Sequence, residues 1–155
     1  MNAERSRRSE PRLDGLRILV VEDHVDSRDA LRQMLAAQGA EVLVASDGQE
    51  ALAGLEATIP DLILSDLRMP RIDGLELATR VRHDVRWARI PLIAVTAYNS
   101  PADLRATLEA GFDAHVEKPV DFDLLTATVQ RVLRGGRRRG RRSRPDTGHP
   151  SGEGT

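Results

Sequence analysis

The sequence predicts a doubly wound α/β domain, in which a five-stranded parallel sheet is covered by helices on both faces. Short apolar segments rich in branched side chains alternate five times with longer segments of helical period between residues 18 and 133. Strands that are apolar along their whole length are typical of parallel sheets buried on both sides. The 155 residues, 40% of them apolar, suffice for one such core.

The five strand–helix units follow one another along the chain. They are predicted at Ile18–Val21 with Val25–Gln38, Val42–Ala45 with Gln49–Thr58, Leu62–Leu64 with Gly74–His83, Leu92–Val95 with Ala102–Ala110, and Ala114–Val116 with Asp121–Leu133. Glycine and proline support these boundaries. They occur where helices should stop, just before strands, or in the first turn of a helix: Gly39, Gly111, Pro60, Pro91 and Pro101.

The two ends of the chain differ in composition from the middle. Residues 1–14 are polar and charged without periodicity, which predicts a disordered leader before a folded domain at residues 15–134. Residues 135–155 hold six arginines among Gly, Pro and Ser, which predicts a disordered tail. Between Leu13 and Arg134 there are 20 acidic and 13 basic residues, so an acidic domain precedes a basic tail.

The composition also excludes some classes of protein. There is no cysteine, which rules out disulfides and thiolate chemistry. The N-terminus lacks the apolar stretch of a signal peptide, and no apolar run is long enough to span a bilayer. These features predict a soluble cytoplasmic protein with no membrane partner.

Three carboxylates follow two of the predicted strands. Glu22 and Asp23 come after the first strand and Asp66 after the third, and the ends of parallel strands meet at one edge of the sheet. No glycine-rich phosphate loop is present. Such a carboxylate cluster is costly unless a hard cation such as Mg²⁺ binds among the oxygens. The alternative is that each acid only caps the helix after its strand.

A hydroxyl and an ammonium group are predicted at the same edge. Thr96 ends the fourth strand and Lys118 follows the fifth. A threonine there is otherwise a turn or cap residue, and a lysine is otherwise a solvated surface charge. Of the 23 basic residues, however, only Lys118 is lysine. This indicates a position that needs a compact ammonium and not a planar guanidinium.

From about Leu16 to Leu133 the sequence resembles bacterial response-regulator receiver domains, in particular single-domain receivers of the chemotaxis-regulator kind. The motifs that carry the resemblance are Ile18–Asp23, Asp61–Pro70 with Asp73 and Gly74, Val95–Ala97, and Val116–Pro119. It implies a flavodoxin-like (βα)5 fold with strand order 2-1-3-4-5. It also implies a phosphoacceptor in two-component or phosphorelay signalling, with no enzymatic activity beyond its own phosphotransfer and dephosphorylation.

The resemblance assigns roles to particular residues. Asp66 would accept the phosphoryl group, and Glu22, Asp23, Asp66 and the backbone carbonyl of Arg68 would hold Mg²⁺ or Mn²⁺. Lys118 and Thr96 would contact the phosphoryl oxygens, and the bond from Lys118 to Pro119 would be cis. The expected donor is a histidine kinase or a histidine phosphotransfer protein. An output protein would bind the face of helix four, strand five and helix five, or phosphorylation would drive homodimerisation.

Several positions depart from the family pattern. Glu22 stands where many relatives have Asp, so we expect altered cation binding, with the longer side chain reaching the cation through water. His115 replaces a switching Phe or Tyr, so it is either a pH-dependent readout or a half-buried packing residue. Arg68 and Tyr98 flank the expected route of hydrolytic water, which predicts slow self-dephosphorylation.

Three other functions are compatible with parts of the sequence. A haloacid-dehalogenase-type phosphatase needs a second Asp two residues after the first, where Arg68 stands. A pseudo-receiver that binds partners without phosphorylation stays open because of His115. Nucleic-acid binding by the arginine tail is the third, but no output fold follows Leu133, so solvated disorder is favoured for the tail.

Overall fold

The computed structural model describes residues 12–135, which contain one parallel sheet of five strands. The strands are β1 (Arg17–Val21), β2 (Glu41–Ala45), β3 (Leu62–Ser65), β4 (Leu92–Thr96) and β5 (Ala114–Glu117). Their order in the sheet is β2-β1-β3-β4-β5, and every neighbouring pair is parallel. The predicted fold class and strand order are both confirmed.

Helices connect the strands in sequence. They are α1 (Val25–Ala37), α2 (Gly48–Ala57), α3 (Gly74–His83), α4 (Pro101–Ala110) and α5, which covers residues 122–135. At the start of α4, Ser100 and Asp103 form a reciprocal capping box and Pro101 takes the first helical position. Gly111 ends α4 with a φ of 115°, a conformation that favours glycine.

The core has two layers because each strand sends side chains to both faces of the sheet. Leu19, Val21 and Ile63 pack with α2 and α3 on one face. Ile18, Val20, Leu62, Leu64 and Val95 pack with α1 and α5 on the other. The central strands are buried along their whole length, as their uniformly apolar sequences predict.

Packing begins before the predicted domain start at residue 15. The Leu13 side chain is 1% exposed, and its backbone N–H donates to the Gln38 carbonyl at 2.9 Å. Leu13, which the sequence places in the leader, therefore packs with the folded domain. The predictions for residues 1–11 and 136–155 lie outside the described residues. Within residues 12–135, no helix combines the length and apolarity needed to cross a bilayer.

Candidate functional site

The strand register brings the predicted site residues to one edge of the sheet. Val21 pairs with Ser65, so Glu22 and Asp66 are the next residues along two neighbouring strands. The Asp66 N–H donates to the Val21 carbonyl at 3.0 Å, which fixes this alignment. On the other side of β3, the Lys118 N–H donates to the Thr96 carbonyl at 3.0 Å. The ends of β1, β3, β4 and β5 thus supply the site.

Lys118 joins two of the carboxylates. Its Nζ donates to Glu22 Oε1 at 2.9 Å and to Asp66 Oδ2 at 3.2 Å. The Glu22 side chain is 1% exposed and Asp66 is 8% exposed, so both acids are buried. The peptide bond between Lys118 and Pro119 is cis, as the resemblance implies. The ammonium group of Lys118 is therefore shared by two buried acids and is not a solvated surface charge.

Burial and charge perturb both partners of the ion pair. Burial raises the pKa of Glu22 and outweighs its hydrogen bonds from Lys118 and from the His24 backbone, while the nearby Asp66 charge also raises it. Burial would lower the pKa of Lys118, but its hydrogen bonds and charge interactions with Glu22 and Asp66 prevail and raise it. Lys118 is therefore protonated at neutral pH and neutralises part of the acidic charge.

The backbone around Asp66 depends on a close approach by Gly74. Asp66 Oδ1 accepts the Leu67 N–H at 2.7 Å, and the Gly74 N–H donates to the Leu67 carbonyl at 2.9 Å. A Cβ atom on Gly74 would overlap the Asp66 carbonyl oxygen. Only glycine therefore allows α3 to begin against the backbone of Asp66.

The first-loop acids form a group with His24, a residue to which the sequence assigns no role. Glu22, Asp23 and His24 each offer a ligand atom, and these atoms lie within 4.8 Å of one another. Asp66 is not part of this group and faces Lys118. The N-cap residues of α1 and α3 are His24 and Asp73, so the helix-capping explanation for Glu22, Asp23 and Asp66 is wrong.

Thr96, Tyr98 and Arg68 lie on the neighbouring loops. Thr96 is fully buried, and its Oγ1 accepts the Tyr98 N–H at 2.9 Å. The Arg68 guanidinium lies 4.5 Å from the centre of the Tyr98 ring, a distance typical of cation–π contacts. The two residues predicted to flank the route of water therefore contact each other.

His115 is more exposed than the packing hypothesis predicts. Its side chain is exposed, and in β5 only Val116 is buried. The reason is that β5 is an edge strand of the sheet, so its side chains have a neighbouring strand on one side and none on the other. The hypothesis that His115 is a half-buried packing residue is wrong.

A contact between two loops supports the segment after Asp66. Asp47, the N-cap of α2, accepts the Glu50 N–H at 2.8 Å and is 2% exposed. Its Oδ2 also accepts from Arg71 Nε at 2.9 Å, and Arg71 itself has a φ of 65°. The spacing from Asp47 to Glu50 indicates a helix start, but no sequence signal pairs Asp47 with Arg71. This contact ties the β2–α2 loop to the β3–α3 loop.

We expect Asp47→Ala to destabilise the fold at neutral pH by about 1–2 kcal/mol, because the helix cap and the Arg71 ion pair are both lost. The Glu50 backbone hydrogen bond, then Arg71, holds the pKa of Asp47 below its ordinary value of 3.8. A depressed pKa means that this contribution is present above 3.8 and is lost as the pH falls through the lower folded value.

Urea unfolding of the wild type and the variant between pH 7 and pH 3 measures this difference. The gap in unfolding free energy should shrink as the solution becomes more acidic. Asp47→Asn is the matched control, because asparagine keeps the cap but not the charge. A gap that is constant over the whole pH range would contradict the assignment.

A five-stranded parallel sheet of this order, with buried acids, a hydroxyl and a lysine at its carboxyl edge, defines the receiver class. Residues 18–130 match the response regulator receiver domain family, and the chain belongs to that family. It is a response-regulator receiver domain of two-component signalling, and its family is one of signalling domains, not of enzymes.

Individual relatives agree with this assignment. An uncharacterized 14.6 kDa protein of Leptolyngbya boryana is 48% identical over 113 residues, which are 73% of this chain and 86% of that one. The transcriptional regulatory protein AfsQ1 of Streptomyces coelicolor is 40% identical over 78% of this chain, but the match spans 52% of AfsQ1. This chain therefore spans about half the length of that regulator.

A solved structure adds information about the cation. The receiver domain of the sensor histidine kinase PA1611 from Pseudomonas aeruginosa PAO1 is 32% identical, with a TM-score of 0.72. The match covers 77% of this chain and 98% of that domain, which has a magnesium ion coordinated in its active site cleft.

Proposed function

We propose that this chain is a phosphoacceptor switch in which Asp66 takes a phosphoryl group from a phosphohistidine on a kinase or phosphotransfer protein. The observation that carries the proposal is the position of Lys118 Nζ, 3.2 Å from Asp66 Oδ2 and 2.9 Å from Glu22 Oε1. An ammonium group in contact with the nucleophilic carboxylate is also within reach of phosphoryl oxygens bonded to it. Phosphoryl transfer depends mainly on such positioning and charge neutralisation.

In the proposed step a carboxylate oxygen of Asp66 attacks phosphorus and forms an acyl phosphate. The P–N bond to the donor imidazole breaks, and its electron pair leaves with the imidazole nitrogen. Lys118 stays protonated throughout and balances the negative charge of the phosphoryl group. The Leu67 N–H, which donates to Asp66 Oδ1 at 2.7 Å, holds the carboxylate in position for the attack.

The donor set fits a hard divalent cation such as Mg²⁺ or Mn²⁺. Glu22, Asp23 and Asp66 supply carboxylate oxygens, and the backbone carbonyl of Arg68 would supply a fourth. Glu22 Oε1 is taken by Lys118, so its contribution would come from Oε2 or through a bound water. When bound, the cation would supply charge neutralisation at the phosphoryl oxygens.

The switch is proposed to start at Thr96. Its Oγ1 accepts the Tyr98 N–H, and rotation of the side chain would exchange this bond for one to a phosphoryl oxygen. Because Thr96 is tied to Lys118 through their backbones, the change would reach β5 and its exposed His115. The output surface would be the α4–β5–α5 face. Leu108 in α4 and Leu124 in α5 are exposed apolar side chains, at 64% and 55%. An output protein or a second copy would bind there.

The proposal is tested by incubating the purified chain with Mg²⁺ and acetyl phosphate and measuring its intact mass. We expect wild type to gain one phosphoryl group, and Asp66→Ala to gain none. Chelating the cation should abolish the gain. If no phosphoryl group is gained even with a competent phosphohistidine donor, the chain is a pseudo-receiver and the proposal fails.

We further expect the acyl phosphate to hydrolyse slowly, because Arg68 and Tyr98, which contact each other, would cover the approach of water. Replacing Tyr98 by alanine should shorten the lifetime severalfold by removing the ring and releasing Arg68. Loss of the phosphoryl group over time, followed by intact mass after the donor is removed, measures the lifetime. His83→Ala, on the far end of α3, is the control. A wild-type lifetime of mere seconds would contradict the expectation.

A further inference from the structure

The ring of His24 lies against both first-loop carboxylates. Its Nδ1 is 3.8 Å from Glu22 Oε2 and 3.7 Å from Asp23 Oδ1. Two ligands on opposite sides of one ion can be separated by about 4.2 Å, because Zn–N and Zn–O bonds are about 2.1 Å long. The three side chains can therefore contact a single cation with only small movements.

The carboxylate of Glu22 is divided between two partners. Oε1 accepts from Lys118, whereas Oε2 faces His24, whose backbone N–H also donates to it at 3.1 Å. An ion bound on the Oε2 side would thus leave the contact between Lys118 and Glu22 in place. The His24 side chain is 77% exposed, so an ion from solvent can reach its ring.

The His24 ring has no role in starting the helix that it precedes. His24 is the N-cap residue of α1, yet its side chain makes no capping hydrogen bond. Residues preferred at this position are short and cap through a side-chain oxygen, which histidine lacks. The ring is therefore available to a ligand.

We propose that His24 Nδ1 is a direct ligand of the cation held by Glu22 and Asp23. The site then selects a late transition cation such as Zn²⁺ over Mg²⁺ more strongly than an all-oxygen site does. This inference rests on the cation site of the proposed function and identifies which cations that site takes. Imidazole nitrogen suits zinc and its neighbours, whereas Mg²⁺ prefers oxygen.

Calorimetric titrations of the full chain with ZnCl₂ and with MgCl₂ test the selectivity. In His24→Ala the ratio of zinc to magnesium affinity should fall at least about tenfold, the loss that even an outer-shell partner of a metal ligand can cause. His83→Ala is the matched control, because it removes an exposed histidine at the far end of α3 and should leave the ratio unchanged.

A second measurement identifies the ligand atom directly. The chain has four histidines, so long-range proton–nitrogen spectra of protein labelled with ¹⁵N-histidine resolve each ring. On addition of ZnCl₂ the Nδ1 signal of His24, assigned by its absence in His24→Ala, should shift. An unmoved Nδ1 signal, or an unchanged affinity ratio in His24→Ala, overturns the inference.

The two proposals fail separately. A wild-type chain that is not phosphorylated at Asp66 but shows the zinc-dependent Nδ1 shift would refute the phosphoacceptor function and keep the histidine ligand. A chain that is phosphorylated with Mg²⁺ but shows no such shift would refute the histidine ligand alone.

Discussion

Lys118→Met should slow the phosphorylation of Asp66 by at least about a hundredfold, the loss that follows removal of one group stabilising transition-state charge. Methionine keeps the length of the side chain but removes the ammonium that contacts Asp66 Oδ2 and Glu22 Oε1. The two buried acids then face each other without a shared cation, and the pKa of Glu22 rises further. The rate of mass gain from acetyl phosphate at fixed Mg²⁺ measures the effect.

Lys118→Arg is the control that separates charge from shape. Arginine keeps the positive charge, but its planar guanidinium is larger than the ammonium. We expect Lys118→Arg to be slower than wild type, which would explain why a chain that otherwise uses arginine keeps one lysine. Thermal unfolding of both variants shows whether they fold. A folded Lys118→Met variant that is phosphorylated at the wild-type rate would refute the role of the ammonium.

Much of this site could be predicted from the sequence because parallel strands leave few choices. Once β1, β3, β4 and β5 are recognised as strands, their carboxyl ends must share one edge, and Glu22, Asp66, Thr96 and Lys118 arrive there together. The uniformly apolar strands predicted the two-layer core for the same reason. These predictions depend only on local patterns and on the topology that they imply.

The distribution of contacts within the site could not be predicted. Three converging carboxylates are expected from the topology, but the sequence does not show that Lys118 bridges Asp66 and Glu22, or that the His24 ring lies beside Glu22 and Asp23. Glu22 and Lys118 are 96 residues apart, and no pattern in the sequence says which oxygen the lysine contacts. Pairing between side chains depends on rotamers and burial, which are properties of the folded chain.

The exposure of side chains on the edge strand β5 also could not be predicted from the sequence. The strand pattern predicts on which face of β5 the His115 side chain lies. It does not predict whether another element covers that side chain, so half-burial and exposure could not be distinguished. The start of the fold has the same difficulty. Leu13 is one apolar residue in a polar segment, and its burial results from contacts with the distant α1–β2 region.

Arg82 makes contacts that stabilise the fold and lie away from the functional site. From the last turn of α3 its guanidinium donates to the carbonyls of Gly111, Ala88 and Ile90 at 3.0, 3.1 and 2.7 Å. It also donates to Asp113 Oδ2 at 2.9 Å, and that oxygen accepts the Leu92 N–H. One side chain therefore links the end of α4 to the start of β4, at the amino end of the sheet.

We expect Arg82→Met to lower the free energy of unfolding by about 2–3 kcal/mol, because methionine keeps the stem but removes the hydrogen bonds to three carbonyls and to the half-buried Asp113 carboxylate. Urea unfolding should show a lower midpoint with an unchanged slope. Arg80→Met is the matched control, since Arg80 bridges the exposed Glu76 one turn away and its loss should cost less than about 0.5 kcal/mol. Equal losses in the two variants would contradict the argument. Folded Arg82→Met should still be phosphorylated at Asp66, because the link lies at the opposite edge of the sheet from Lys118.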